Sequence, residues 1–247
     1  MAMETYNIGR LEIEELKKLG KLNKKNIKKL EKGYPIQYLI GYVDFYGRKI
    51  NVNENTLIPR YETEYLIEKT LKYIEKYNLK NAKVLDMCTG TGCIGLTLKA
   101  ENPSLDITLS DISSKALKVA KQNKNELNLN VKIVKSDLFK NLKDKNYDIL
   151  ISNPPYVMTS EKLPKEVTYE PKLALFSGEK GIDHIDRILK EAKNYLNDKY
   201  LIALEINEQS EKDLEELIKR YMPECTYSFE NDLTGKLRYL FIFKNLE

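Results

Sequence analysis

The chain has no tryptophan and one histidine, His184. A lone histidine cannot build a metal cluster. A Ser-His-Asp triad could draw only on this residue, and no Gly-x-Ser-x-Gly elbow is present. His184 lies in a polar helical pattern and reads as an ordinary helix residue. Cysteine is scarce as well: Cys88, Cys93 and Cys225 are odd in number and form no Cys-x-x-Cys pair, which argues against a disulfide framework and a zinc site. No apolar run approaches the roughly 18 residues that a membrane span needs. Met1–Gly20 alternates apolar and charged residues, unlike a signal peptide. A cytoplasmic protein without a metal is expected.

A strong charge of either sign is also missing. The 41 basic and 37 acidic residues give a net charge of +4, which permits contact with nucleic acid but does not demand it. The lysine-rich piece Lys21–Lys29 could touch RNA, although a solvated helix face accounts for it.

With 42% hydrophobic residues, the 247-residue chain can build one large domain and a small appendage. Residues 1–34 read as a short helical region, with helix patterns over Met1–Leu30 and Asn23–Lys32. Residues 35–80 read as a β-hairpin around Gly47-Arg48 and a helical linker over Tyr61–Tyr77. From residue 81 to 247, strands and helices alternate. Strands are expected at Val84–Met87, Asp106–Ser110, Val131–Val134, Tyr147–Ser152 and Tyr200–Glu205. Helices are expected at Cys93–Glu101, Ser113–Leu127, Asp183–Leu196 and Glu208–Arg220. Thr226–Glu230 and Leu237–Phe243 close the chain as an antiparallel pair. The pattern implies an α/β fold with a doubly wound, mainly parallel sheet.

The residues with chemical character fall at strand ends. In Tyr147–Tyr156 an apolar run stops at Asn153-Pro154-Pro155-Tyr156. Prolines cannot donate to a sheet ladder and push the preceding residue into an extended form. The chain must leave the sheet there as a stiff segment that presents Asn153 and Tyr156. The first sheet strand runs into Asp86-Met87-Cys88-Thr89-Gly90-Thr91-Gly92, whose glycines allow a tight turn and close ligand approach. The helix from Cys93 is expected to turn free N–H groups to the ligand. The dinucleotide fingerprint Gly-x-Gly-x-x-Gly is not read there, because its third glycine is taken to fall at Ile94–Gly95 with the wrong spacing. Asp111, at the end of the second strand, can accept hydrogen bonds from both hydroxyls of a ribose. Ser136-Asp137-Leu138-Phe139 is placed to border an adenine.

Together, Asp86–Gly92, Asp111 and Asn153–Tyr156 resemble the class I methyltransferases that use S-adenosyl-L-methionine. The resemblance implies a Rossmann-like fold with an antiparallel last strand. It also implies cofactor contacts from Asp86, Cys88, Thr89, Gly90, Thr91, Gly92, Asp111, Asp137, Leu138 and Asn153, with S-adenosyl-L-homocysteine as product. Asn-Pro-Pro-Tyr is similar to the motif of enzymes that methylate a planar nitrogen: an adenine, cytosine or guanine amino group, or a glutamine amide. Its lone pair is delocalised, so the nitrogen is a poor nucleophile. The Asn153 side-chain oxygen and the Pro154 carbonyl can take its two N–H bonds and orient it, while Pro155 stiffens the corner and Tyr156 packs on the flat face.

Further stretches are similar to the HemK/PrmC family. They are Pro35–Gly41, Thr56–Glu64, Tyr169-Glu170-Pro171 through Gly181, and Asp232-Leu233-Thr234-Gly235 with Arg238. That resemblance implies methylation of the glutamine of the Gly-Gly-Gln motif in class I peptide chain release factors, with nucleic acid not expected as substrate. A ribosomal protein or a DNA or RNA amino group is the alternative acceptor. The sequence departs from the family at Tyr61, which replaces proline, at Asn207, which replaces glycine, and in the short segment before Pro35. Without tryptophan, an aromatic wall near adenine would come from Phe139 or a tyrosine. Val157–Gly181, long for a structureless connection, is expected to form a lid.

Overall fold

A computed structural model describes residues 10–246; the start of the first expected helix lies outside the described residues. Helix α1 (Arg10–Lys18) and helix α2 (Lys24–Glu31) pack Leu16 and Leu30 against the one-and-a-half-turn helix α3 (Ile36–Ile40), which contributes Ile36, Leu39 and Ile40. Asn23 caps α2 by accepting the Asn26 N–H at 3.0 Å, and the lysines of α2 stay at the surface. Helix α3 was not anticipated. Pro35 supplies a helix-like φ of −58° at its start, and Gly41 ends it in the left-handed region.

Strands β1 (Tyr42–Phe45) and β2 (Arg48–Asn51) form the expected hairpin, followed by helix α4 (Tyr61–Lys76). The remaining elements are β3 (Lys83–Met87), α5 (Cys93–Glu101), β4 (Asp106–Asp111), α6 (Ser114–Glu126), β5 (Lys132–Lys135), β6 (Tyr147–Ser152), α7 (Asp183–Ala192), β7 (Leu196–Glu205), α8 (Glu211–Tyr221), β8 (Thr226–Asn231) and β9 (Leu237–Lys244). The main sheet has the order β5-β4-β3-β6-β7-β9-β8. Strands β5 to β7 are parallel, and β9 runs antiparallel to both β7 and β8. No helix among the described residues is long and apolar enough to cross a membrane.

Alternation along each strand builds two cores. On β6, Ile149 and Ile151 point toward α4, α5 and the hairpin, while Leu150 points toward α7 and α8. A parallel strand covered on both faces reads as a continuous apolar run, as this one does. In the strand–helix part of the chain, three element boundaries lie three or more residues from the sequence reading. Helix α7 ends at Ala192, and β7 begins at Leu196, because Tyr195 turns back to stack on Phe139 at 4.6 Å and Leu196 pairs with Tyr147. Helix α8 begins at Glu211 because Asn207 folds a turn before it, its side chain accepting the Gln209 N–H at 2.9 Å and its carbonyl the Ser210 N–H.

Candidate active site

The sheet order reverses direction at β3 and β6, where open α/β sheets place ligands beyond their carboxyl ends. Met87 pairs with Ser152 across these strands and with Ser110 on β4. Cys88, Asn153 and Asp111 therefore leave the sheet side by side. The Ser152 hydroxyl donates to the Met87 carbonyl at 2.6 Å, which ties the two exit points together.

After β3 the chain turns through Cys88 at a left-handed φ of 58°. The Asp111 carboxylate accepts the Gly90 N–H at 2.9 Å and the Ser113 N–H at 2.8 Å. Burial pushes the Asp111 carboxyl up, and these N–H groups oppose that shift. Each carboxylate oxygen keeps a further lone pair for a ligand. A Cβ placed on Gly90 would meet nothing within 4 Å, so open space lies over the loop at this point.

The start of α5 differs from expectation. Its N–H groups do not wait for a ligand: Gly92 N–H goes to the Thr89 carbonyl, Cys93 N–H to the Thr91 hydroxyl and Gly95 N–H to Asp86. Gly95 completes a Gly90-x-Gly92-x-x-Gly95 spacing, so the ground of spacing on which the dinucleotide fingerprint was set aside is incorrect. A Cβ there would stand 2.3 Å from the Leu109 side chain, so this glycine lets α5 approach the sheet. The spacing matches the dinucleotide fingerprint, but these internally satisfied N–H groups make the helix start a poor phosphate cradle. Asp86 is fully buried; one carboxylate oxygen also accepts from the Thr89 hydroxyl, and the other has no hydrogen-bond partner among the described residues. Burial pushes its carboxyl up to about 7.

Asn153 lies in a buried polar chain. Its side-chain NH₂ donates to the Thr63 hydroxyl at 3.1 Å, and Thr63 donates to Glu205 at 2.7 Å. The Tyr156 hydroxyl donates to the other Glu205 oxygen at 2.9 Å. Thr63 and Glu205 are 2% and 1% exposed. Burial raises the Glu205 carboxyl, opposed by the hydrogen bonds from Thr63 and Tyr156 and by nearby Arg238. Burial and Glu205 both raise the Tyr156 phenol, which keeps it a donor.

A cavity opens beyond these strand ends. Of the residues singled out from the sequence, Cys88, Gly90, Asp111, Asp137, Leu138, Asn153 and Pro155 line it. Asp86, Thr89, Thr91 and Gly92 stand behind it and shape the loop, and Tyr156 is turned to Glu205. Phe139 is fully buried against Tyr195, so the expected aromatic wall is instead aliphatic, made by Leu57, Ile112, Leu138 and Leu173. His184 and Arg187 also line the cavity, contrary to the plain reading of His184. The His184 ring meets the Ser177 hydroxyl at 2.7 Å, and Arg187 pairs with Asp137 at 2.8 Å. Thr56, Leu57 and Thr63 fall within the Thr56–Glu64 stretch already noted for its resemblance, which gave them no role in the site, and Asn55 and Glu205 carried no signal that would have assigned them to it.

Val157–Gly181 crosses the cavity as a strap. A short ladder joins Val157 to Leu175 and Ser177, and Pro171, Leu173 and Ala174 reach the cavity wall. Open space over Gly90, a carboxylate with spare lone pairs and an aliphatic wall fit a nucleoside with a ribose diol and a flat base.

A family model described as "Methyltransferase small domain" matches residues 63–170. The chain is 39% identical to a release factor glutamine methyltransferase of Streptococcus pneumoniae over 84% of this chain and 74% of that one. It is 37% identical to a release factor glutamine methyltransferase of Bacillus cereus, over 85% and 76% of the two chains. The crystal structure of a methyltransferase from Pyrococcus furiosus superposes with a TM-score of 0.59 at 20% identity, covering 81% of this chain and 90% of that one, and so shares the fold. On this identity and coverage, together with the strand-end loop, Asp111 and Asn-Pro-Pro-Tyr in one cavity, the chain belongs to the release factor glutamine methyltransferase family.

Proposed function

We propose that the protein transfers a methyl group from S-adenosyl-L-methionine to the side-chain amide nitrogen of the glutamine in the Gly-Gly-Gln motif of a class I peptide chain release factor. The observation that carries this reading is the shared cavity: Asn153 and Pro155 lie in the same walls as Gly90, Asp111 and Leu138. In this reading Asp111 holds the ribose hydroxyls, Leu138, Ile112 and Leu173 flank the base, and Gly90 leaves room above the loop. S-adenosyl-L-methionine held there would supply a methyl on a positively charged sulfur and leave as S-adenosyl-L-homocysteine.

The protein's own work is orientation. The Asn153 oxygen and the Pro154 carbonyl each accept one N–H of the glutamine amide. This fixes the nitrogen in one direction and favours the form with a localised lone pair; as its N–C bond to the methyl forms, the methyl's bond to sulfur would break, and the cationic nitrogen would then give one of its two protons to solvent water. The diproline corner keeps both acceptors rigid. The strap, with Pro171 and Leu173 on the cavity, excludes water from the charged centre. The test supplies methyl-labelled S-adenosyl-L-methionine with purified release factor, ribosomal proteins, DNA and RNA in separate reactions. Label in the release factor glutamine is expected; label confined to nucleic acid or to a ribosomal protein would replace this reading.

A further inference from the structure

The two oxygens of a substrate-facing pair must both be acceptors, yet a side-chain amide can present either its oxygen or its NH₂. The choice at Asn153 is made outside the cavity. Thr63 has one hydroxyl hydrogen, and Glu205 takes it at 2.7 Å. The Thr63 oxygen is left with lone pairs only, so the Asn153 atom that touches it at 3.1 Å must be the donor NH₂. With the NH₂ engaged by Thr63, the oxygen is the polar atom of the Asn153 side chain left for the cavity that Asn153 lines. Tyr156 occupies the second Glu205 oxygen at 2.9 Å and holds the carboxylate in this orientation. The three anchors come from separate places: Thr63 from the first turn of α4, Glu205 from the end of β7, and Tyr156 from the diproline corner.

We infer that Thr63 and Glu205 are positioning residues that lock the Asn153 amide with its oxygen toward the substrate, and that this lock makes the site select a nitrogen bearing two hydrogens. The inference rests on the amide-methylation reading for its substrate, and on the hydrogen-bond chain alone for the lock. A carboxylate in the same place would bring lone pairs against the Asn153 oxygen, so a glutamate side chain is rejected where glutamine is held. A site with buried polar groups discriminates strongly against an analogue that cannot pair with them.

The experiment follows the Asn153 side-chain NH₂ directly by ¹⁵N–¹H spectroscopy of the full chain, assigned with Asn153→Ala, alongside turnover of a Gly-Gly-Gln peptide. In the wild type the NH₂ protons should exchange with water at least about tenfold more slowly than those of an exposed asparagine, because their acceptor Thr63 is only 2% exposed. Thr63→Val keeps the shape and removes the acceptor; protection should vanish and kcat should fall about tenfold or more. Affinity for S-adenosyl-L-homocysteine should stay within about threefold, and Thr63→Ser should restore most of the lost kcat. Glu205→Met provides a second variant if Thr63→Val does not fold: it removes the acceptor of the Thr63 hydrogen, so Thr63 can donate to Asn153 and loss of protection is expected again. An unprotected NH₂ in the wild type would overturn the lock. So would wild-type kcat in a folded Thr63→Val, or a Thr63→Ser as impaired as the valine variant. A protected NH₂ in a protein that methylates no glutamine would keep the lock and remove the glutamine reading.

Discussion

Arg60 and Glu170, 110 positions apart, form an ion pair between the two segments that border one side of the cavity. The second Glu170 oxygen accepts the Ile58 backbone N–H at 2.9 Å. The Glu170 side chain is 2% exposed, whereas Arg60 is 32% exposed, so the buried partner dominates the energetics. The pair pins the strap to the stretch that leads into α4. Tyr169 adds a second pin by donating to the Lys32 carbonyl at 2.9 Å.

Glu170→Ala should release the strap. The change leaves the Ile58 N–H without its acceptor and Arg60 without its counter-charge, a loss of roughly 1–3 kcal/mol after allowing for the exposure of Arg60. Trypsin should then cut faster at Lys162, Lys165 and Lys172, read by mass spectrometry of short digests. A cleavage pattern identical to the wild type would show that the pair does not hold the strap.

Asn153→Ala should abolish measurable methyl transfer while leaving affinity for S-adenosyl-L-homocysteine within about threefold, because in the proposed reading the lost group orients the acceptor amide and Asp111 carries the ligand. Calorimetry and a labelled-methyl assay on the same preparation separate the two effects. Normal turnover would remove Asn153 from the reaction.

Asp111→Ala should act the other way. It removes the carboxylate proposed to hold the ribose hydroxyls and also the acceptor for the Gly90 and Ser113 N–H groups. Affinity for S-adenosyl-L-homocysteine should weaken at least about tenfold, or roughly 1.4 kcal/mol. A dissociation constant unchanged by calorimetry would exclude Asp111 from ligand binding.

The parts of the site that sit at strand ends were legible in the sequence because each combines an apolar run with a local break in backbone chemistry. Ile149–Ile151 before Asn153-Pro154-Pro155, and Val84–Met87 before Gly90 and Gly92, are such cases. The parts that escaped are built by tertiary contact. Thr63 sits in an amphipathic helix and meets Asn153 only across 90 positions of chain. Phe139 seemed available for a ligand until its ring found Tyr195. The supply of N–H groups at the start of α5 was misjudged for a related reason: Thr89, Thr91 and Asp86 consume them within the loop itself.

Asp86 makes the fold sensitive to pH in a defined direction. Its folded carboxyl is raised to about 7 from 3.8, because burial penalises the charge more than the Thr89 and Gly95 hydrogen bonds favour it. In the unfolded chain the same group ionises near pH 4, as an ordinary aspartate does. Between these values the folded protein holds a proton that the unfolded chain gives up. The folded state is therefore favoured most below about pH 4, and its advantage is lost progressively up to about pH 7, by on the order of 4 kcal/mol in all. Asp86→Asn carries no charge at any pH, and its side-chain oxygen can still accept from Thr89 and Gly95. Urea midpoints measured at pH about 4.5 and about 7.5 should fall more for the wild type than for Asp86→Asn, and the difference between the two proteins isolates this group from Asp111 and Glu205. Equal pH dependence in both proteins would place the titration of Asp86 outside this range.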